Sequence, residues 1–427
     1  MKNGKIYLPP HTSPAVALTV VVIALNAEKT LERTLQSILK QKLDSLEVIC
    51  VDDGSTDGTP RIMERWAERD SRFRVLRHTV NKGCTSARYD GLMAASGKYI
   101  LFIDSDDAYE KGAFQKLTER MEQTGADLCE FGVKLHFLKG STLSPAQVEE
   151  VRDRYLLREQ SYATPEELLT ACFIDEDIKV NIWNKIYRTE TVKDALSFYE
   201  QEWLVMEEDW LFTFCVLSRT RKYDCFPEKF IVYSVGGGIS TGNTLGSDTT
   251  LIQHASALRI YKLIEANAAA SLSLPEIQPA LDAVFSKLMR IVVYAFANTC
   301  EPQRCQLFLD TALQYCSIND FLVVFSSMAS EGLFADALQA VRKLKMCRLP
   351  GAEARRYLDS LSAFQSIDNL KGDRPILPQH DHLACRQGDH LAAREDTGFP
   401  HFQRQSPTPE KPIAAQNGQY FYLQAAV

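Results

Sequence analysis

The chain has 427 residues, 45% of them hydrophobic and 24% charged, with a formal net charge of −7. That composition is ordinary for a globular protein, and the length predicts two folded units plus a tail. The mild acidity excludes a protein that coats nucleic acid, which would carry a basic excess.

Eleven cysteines, an odd number with no C-x-x-C pair, predict reduced thiols rather than a disulfide or zinc framework. The longest apolar run, "VALTVVVIAL" at 16–25, is about half a membrane span, and "MKNGKIYLPPH" has no apolar signal core behind its lysines. A cytoplasmic protein is expected.

"ALTVVVIAL" (17–25) is rich in β-branched residues and reads as a strand buried on both faces. Leu31, Leu35, Ile38 and Leu39 then share one face of a helix. "LEVICV" (46–51) is a second buried strand. It precedes a helix with Pro60 in its first turn and Ile62, Met63 and Trp66 on its apolar side. "RFRVL" (72–76) is a third strand, followed by a helix over about 84–96. "KYILFI" (98–103) is a fourth, and a helix through Phe114, Leu117 and Met121 leads to "ADLCEFGV" (126–133) as a fifth. This alternation predicts an α/β fold, a mostly parallel sheet flanked by helices with right-handed crossovers.

Residues 134–180 form a mixed insertion. From 181 to about 241 come short strands and one clear helix near 208–218. From 248 to 365 the pattern is helical and reads as a separate helical C-terminal region. Residues 371–427 are poor in aliphatics and rich in proline, and are expected to be a disordered tail. Residues 1–16 are an N-terminal extension to a domain spanning 17–245.

"VDDGSTDGTPRIME" (51–64) has acids and a glycine at the spacing of a calcium-binding EF-hand loop. Such a loop needs a helix before it, and "LEVICV" has no helical period. Pro60 also falls where the loop's backbone N–H should pair with a partner loop. Strand, acidic turn and helix is the better reading.

In parallel α/β sheets ligands bind outside the carboxyl ends of the strands. Three polar clusters leave those ends: Asn26 after the first strand, Asp52 and Asp53 after the second, and "DSDD" (104–107) after the fourth. In an extended chain Asp104 and Asp106 project to one side, and two carboxylates so placed suit a hard cation such as Mg2+ or Mn2+.

Taken together, "VVIALNAEKTLERTLQSILKQ", "LEVICVDDGSTDGT", "NKGCTSARYDGLMAASGKYILFIDSDD" and "MEEDWLFTF" resemble glycosyltransferase family two, with its GT-A fold, over residues 17–241. The resemblance implies an inverting enzyme that moves a sugar from a nucleotide-diphosphate donor to a glycan or lipid-linked acceptor. Asn26, Asp52 and Asp53 would then serve the nucleotide sugar, and Arg88 would balance the acids. Asp104 and Asp106 would place Mn2+ or Mg2+ on the diphosphate. Asp209 would be the base, with Glu208 beside it, and Trp183 and Asn184 in "NIWNK" would line the acceptor side. The glycine-rich "YSVGGGIST" (233–241) would close over the donor.

The chain departs from the family at Ala24 and Leu25, where a proline and an aromatic usually precede the asparagine. It also has Cys84 in an unusual place and lacks basic residues in the late loop. "LFADALQAVRKLKMCRL" (333–349) is a basic amphipathic helix; packing on its own domain is the simpler reading, and peripheral contact with the inner face of the plasma membrane is the other. A non-catalytic sugar-nucleotide-binding or scaffold protein that keeps the fold is the competing class. The sequence leaves open the sugar, the nucleotide, the acceptor and the oligomeric state.

Overall fold

The computed structural model describes residues 16–138, 144–157, 160–197, 208–235, 248–272, 274–330, 334–349 and 356. The expected N-terminal extension, most of the glycine-rich loop and the 371–427 tail lie outside the described residues.

The first half runs β1 (Leu18–Ala24), α1 (Leu31–Leu39), β2 (Leu46–Asp52), α2 (Thr59–Arg69), β3 (Phe73–Arg77), α3 (Cys84–Ala94), β4 (Tyr99–Asp104), β5 (Ala108–Tyr109), α4 (Ala113–Thr124) and β6 (Leu128–Phe137). After α5 (Pro145–Arg154) and α6 (Pro165–Phe173) come β7 (Lys185–Arg188), α7 (Thr189–Ala195), α8 (Glu208–Leu217) and β8 (Tyr223–Val235).

The sheet order is β3-β2-β1-β4-β7-β6-β8-β5. β3, β2, β1 and β4 pair parallel; β7 pairs antiparallel with both β4 and β6. The fifth strand of the sequence reading is therefore not the neighbour of the fourth, because the four-residue β7 is inserted between them.

Strand alternation divides the core into two. Val21, Ile49, Val51, Ile100 and Phe102 face α3, α6 and α8. Val20, Val22, Val48, Cys50, Leu101 and Ile103 face α1, α2 and α4 on the other side. In α1, Leu31, Leu35 and Ile38 are buried, but Leu39 at the helix end is 40% exposed.

The C-terminal helices are α9 (Asp248–Ala255), α10 (Arg259–Ser271), α11 (Leu274–Tyr294), α12 (Cys305–Ala312), α13 (Ile318–Ser330) and α14 (Phe334–Leu344). They join the first of the two cores without a break: α10 packs on α8 and α11 on α6. In α14, Ala337, Ala340, Val341 and Leu344 are buried against its neighbours. Lys343 is also buried, donating through Nζ to the carbonyls of Phe296, Ala297 and Cys300, so this basic residue caps a helix end rather than facing outward. Among the described residues no helix is long and apolar enough to cross a membrane.

Candidate active site

The carboxyl ends of β1, β2 and β4 open on one edge, and loops cross-linked by side chains surround it. Asn26 takes a positive φ of 51°, a conformation asparagine tolerates better than most residues. Its Oδ1 accepts from the Thr56 N–H at 2.8 Å, and its own N–H donates to Ser55 Oγ at 2.9 Å. Asp52 is fully buried; Oδ1 accepts from the Ser55 N–H at 3.0 Å and Oδ2 stands 3.2 Å from Arg77 Nε.

Asp53 is buried too. Oδ1 meets His78 Nδ1 at 2.6 Å and the Lys82 N–H at 2.8 Å, while Oδ2 takes the Gly83 N–H at 2.8 Å. Asp57 accepts from the Glu28 and Thr59 N–H groups. The acids of the EF-hand-like spacing thus hold their own loops, and the segment is strand, turn and helix.

Acids from distant parts of the chain meet around one guanidinium. Arg88, on α3 and 8% exposed, donates from Nη1 to Glu208 Oε1 at 2.9 Å. The same Nη1 lies 3.4 Å from Asp209 Oδ1, and Nη2 lies 3.4 Å from Asp104 Oδ1. Glu208 and Asp209 open α8, where the helix dipole favours negative charge. Cys84 Sγ donates to Glu208 Oε1 at 2.9 Å, so the unusual cysteine fastens the start of α3 to the start of α8.

Asp104 is the last residue of β4, and Asp106 belongs to the turn that follows. The turn, closed by the Asp107 N–H on the Asp104 carbonyl at 3.2 Å, places Asp106, rather than the strand alternation the sequence suggested. Burial and the charge of Asp104 push the Asp106 carboxyl up to about 6. Asp107 is fully buried with Oδ1 on the Ser234 N–H, and burial followed by the charges of Asp106 and Asp104 pushes it to about 8. Arg33 steadies the turn, donating to the Asp106 carbonyl and, at 2.6 Å, to Ser234 Oγ. Sequence reasoning passed over His78, Arg33 and Ser234, whose partners are remote in the chain.

Asp104 and Asp106 offer oxygen donors only, and the charge of Asp104 disfavours that of Asp106, a tension that a divalent cation relieves. Among the described residues no group of three or more His, Cys, Asp or Glu side chains could hold a metal by itself. Two carboxylates with water and phosphate oxygens completing the shell are a usual setting for Mg2+, so the residues fit the expected ion.

Trp183 and Asn184 are placed differently. Trp183 is buried, stacked on Tyr233 with centroids 4.6 Å apart and an interplanar angle of 6°, and Tyr155 packs alongside at 5.5 Å. Asn184 is 3% exposed; Nδ2 donates to Glu130 Oε1 at 3.1 Å and Oδ1 accepts from Lys185 Nζ at 3.2 Å. Lys185 and Glu130 form a fully buried ion pair at 3.2 Å. The two residues of this motif hold the sheet around β7 together, and neither touches the Arg88 cluster by a hydrogen bond among those described.

Residues 19–177 match the family model described as Glycosyl transferase family 2. Over that span the chain is similar to family 2. The matched span holds Asn26, Asp52, Asp53, Arg88, Asp104 and Asp106; Trp183, Asn184, Glu208 and Asp209 lie beyond it. The chain is 30% identical over 216 residues to the uncharacterised glycosyltransferase EpsJ of Bacillus subtilis strain 168, covering 51% of this chain and 60% of EpsJ. It is 33% identical over 135 residues to the succinoglycan biosynthesis protein ExoO of Rhizobium meliloti strain 1021, covering 32% of this chain and 38% of ExoO. The chain thus spans less than two thirds of these relatives' lengths. Among solved structures, S. aureus TarS 1–349 superposes with a TM-score of 0.55 at 18% identity, covering 84% of this chain and 94% of that one. At that identity the likeness is one of fold, the GT-A arrangement.

Proposed function

We propose that this protein is a metal-dependent inverting glycosyltransferase that moves a sugar from a nucleotide-diphosphate donor to a hydroxyl of a glycan or lipid-linked acceptor in surface polysaccharide synthesis, on the cytoplasmic side of the membrane. The observation that carries the reading is the convergence of Asp104 and Asp209 on Arg88, because it brings the diphosphate end and the base end of such a reaction to one place. Support for the donor class comes from the family match and from the TarS fold, of which one crystal structure is a complex with UDP.

Asn26, Asp52 and Asp53 form the nucleoside side of the site. Asp209 takes the proton of the acceptor hydroxyl as its oxygen attacks the anomeric carbon from the face opposite the diphosphate. The bond from that carbon to the diphosphate oxygen breaks in the same displacement, which inverts the centre. Arg88 holds Glu208 and Asp209 in place through Nη1, and Glu208 orients the acceptor. Asp104 and Asp106 would hold Mn2+ or Mg2+, which offsets the charge developing on the leaving diphosphate.

Thermal unfolding with UDP, GDP, CDP and dTDP, each with and without Mn2+ or Mg2+, tests the reading. A rise in melting temperature that needs one nucleotide and the ion together, and disappears in Asp104→Ala, is expected. The absence of a shift with every nucleotide and both ions would sink it.

A further inference from the structure

The His78 ring is buried, 4% exposed, and wedged between two carboxylates: Nδ1 is 2.6 Å from Asp53 Oδ1 and Nε2 is 3.0 Å from Asp90 Oδ2. A neutral imidazole has one N–H, so serving both carboxylates at once takes the imidazolium. The charged groups around it come from every element that packs there. Asp53 follows β2, Asp90 lies on α3, Lys82 Nζ stands 3.9 Å from Asp90, and the Asp52–Arg77 pair closes the strand ends beside it.

This ring ties three segments together. His78 follows β3, and its N–H donates to the Asp52 carbonyl at 2.9 Å. Through Nδ1 it orients Asp53, whose two oxygens receive the N–H groups of Lys82 and Gly83 at 2.8 Å each. Gly83, at a φ of 87°, starts α3, which carries Cys84 and Arg88 into the acid cluster and Asp90 back onto His78. Gly54 is pressed so closely against the 80–81 backbone that an added Cβ would stand 2.6 Å from Asn81 N. Both Asp53 oxygens are given to protein donors, and the ring is one of the ties between the loops at this edge.

We propose that His78 is a positioning residue for nucleotide-diphosphate binding: clamped between Asp53 and Asp90, it fixes the 78–83 loop against the 53–58 loop, and Asp53 serves the nucleotide through that loop rather than by direct contact. The proposal rests on the transferase reading above. Burial alone would favour the neutral ring, but the hydrogen bonds to Asp53 and Asp90 outweigh it and hold the imidazolium above the ordinary histidine range. Affinity for the nucleotide is therefore full at low pH and falls as pH rises through that raised value, when the ring can serve only one carboxylate.

The test is calorimetric titration of the full chain with UDP, GDP, CDP and dTDP in Mn2+, from about pH 6 to about pH 9, for the wild type, His78→Gln and Asp90→Asn, with circular dichroism as the check on folding. His78→Gln loses one charge-assisted bond and should bind about tenfold more weakly, with the pH dependence removed. Asp90→Asn keeps an acceptor opposite Nε2 but removes the charge, so its affinity should fall away at lower pH than in the wild type. That variant carries the test if His78→Gln does not fold. Wild-type protein that binds none of the four nucleotides at any pH would overturn the reading beneath the proposal, and the proposal with it. Nucleotide binding by the wild type that both variants reproduce within about twofold at every pH would overturn the proposal alone.

Discussion

Arg88 Nη1 donates to Glu208 Oε1 at 2.9 Å across 120 positions of the chain. Burial works against the charge of this guanidinium, but Asp209, Asp104 and Glu208 together hold it protonated far into the alkaline range. The bond joins α3 to α8, and so makes one site of the half of the chain that ends strands in acids and the half that opens a helix with them.

Arg88→Ala should cost about 1–2 kcal/mol, because it leaves the mostly buried Glu208 without its counter-charge, while Asp104 and Asp209 stay partly open to water and are screened. Arg88→Lys should recover only part of this, since an ammonium cannot span Glu208 and Asp104 as the planar fork does. Urea unfolding of the metal-free protein measures both; an alanine variant within about 0.5 kcal/mol of wild type would show that the cluster is solvent-screened.

Asp209→Asn should reduce sugar transfer by about 10²–10⁴-fold while leaving nucleotide affinity unchanged, the pattern expected when a base acts only in the transition state. Steady-state transfer assays with parallel nucleotide titrations separate the two effects. A non-catalytic scaffold would have no turnover to lose, so it predicts identical behaviour of wild type and variant.

Asp106→Asn should have opposite effects on two quantities. The Asp106 carboxyl is already pushed up to about 6 by burial and by Asp104, so its removal relieves repulsion and should raise the melting temperature of the metal-free protein. The same variant should lose the extra shift that a nucleotide gains from Mn2+. A lower melting temperature without metal would mean that the carboxylate is structurally paired.

Glu47 is 2% exposed at the far side of the sheet. Burial pushes its carboxyl up, but Thr19 Oγ1 at 2.7 Å, the Ser96 N–H at 2.9 Å and Arg74 Nη1 at 2.7 Å outweigh burial and lower it. With the folded value below the unfolded one, its stabilisation is present at neutral pH and is lost as pH falls through the folded value. Glu47→Gln should cost about 2 kcal/mol at neutral pH and make unfolding less steeply acid-dependent; stability curves that stay parallel across the acid range would refute this.

The central strands were legible in the sequence because β1, β2 and β4 are covered on both faces and had to be continuous apolar runs. The polar residues after them were legible for the same reason, since an acid directly behind such a run is conspicuous. β7 was not: "KIYR" is four residues long and begins with a lysine whose burial depends on Glu130, 55 positions earlier. The motif before it was read as an acceptor surface, whereas Asn184 is enclosed by Glu130 and Lys185. His78 was passed over because its partners, Asp53 and Asp90, become its neighbours only once β2, β3 and α3 are packed together.

The uninterrupted packing of α10 on α8 and of α11 on α6 has a consequence for how this protein can be divided or inherited. A chain cut after residue 245 would strip α10 from α8 and α11 from α6, opening to water the apolar core that those helices share, on the very helix that opens with Glu208 and Asp209. The sheet-bearing half is thus not a portable module. Exchanging the C-terminal helices between relatives should succeed only when α6 and α8 travel with them, and substitutions deep in α11 should be felt at Glu208 and Asp209 before they are felt at Asp104 and Asp106.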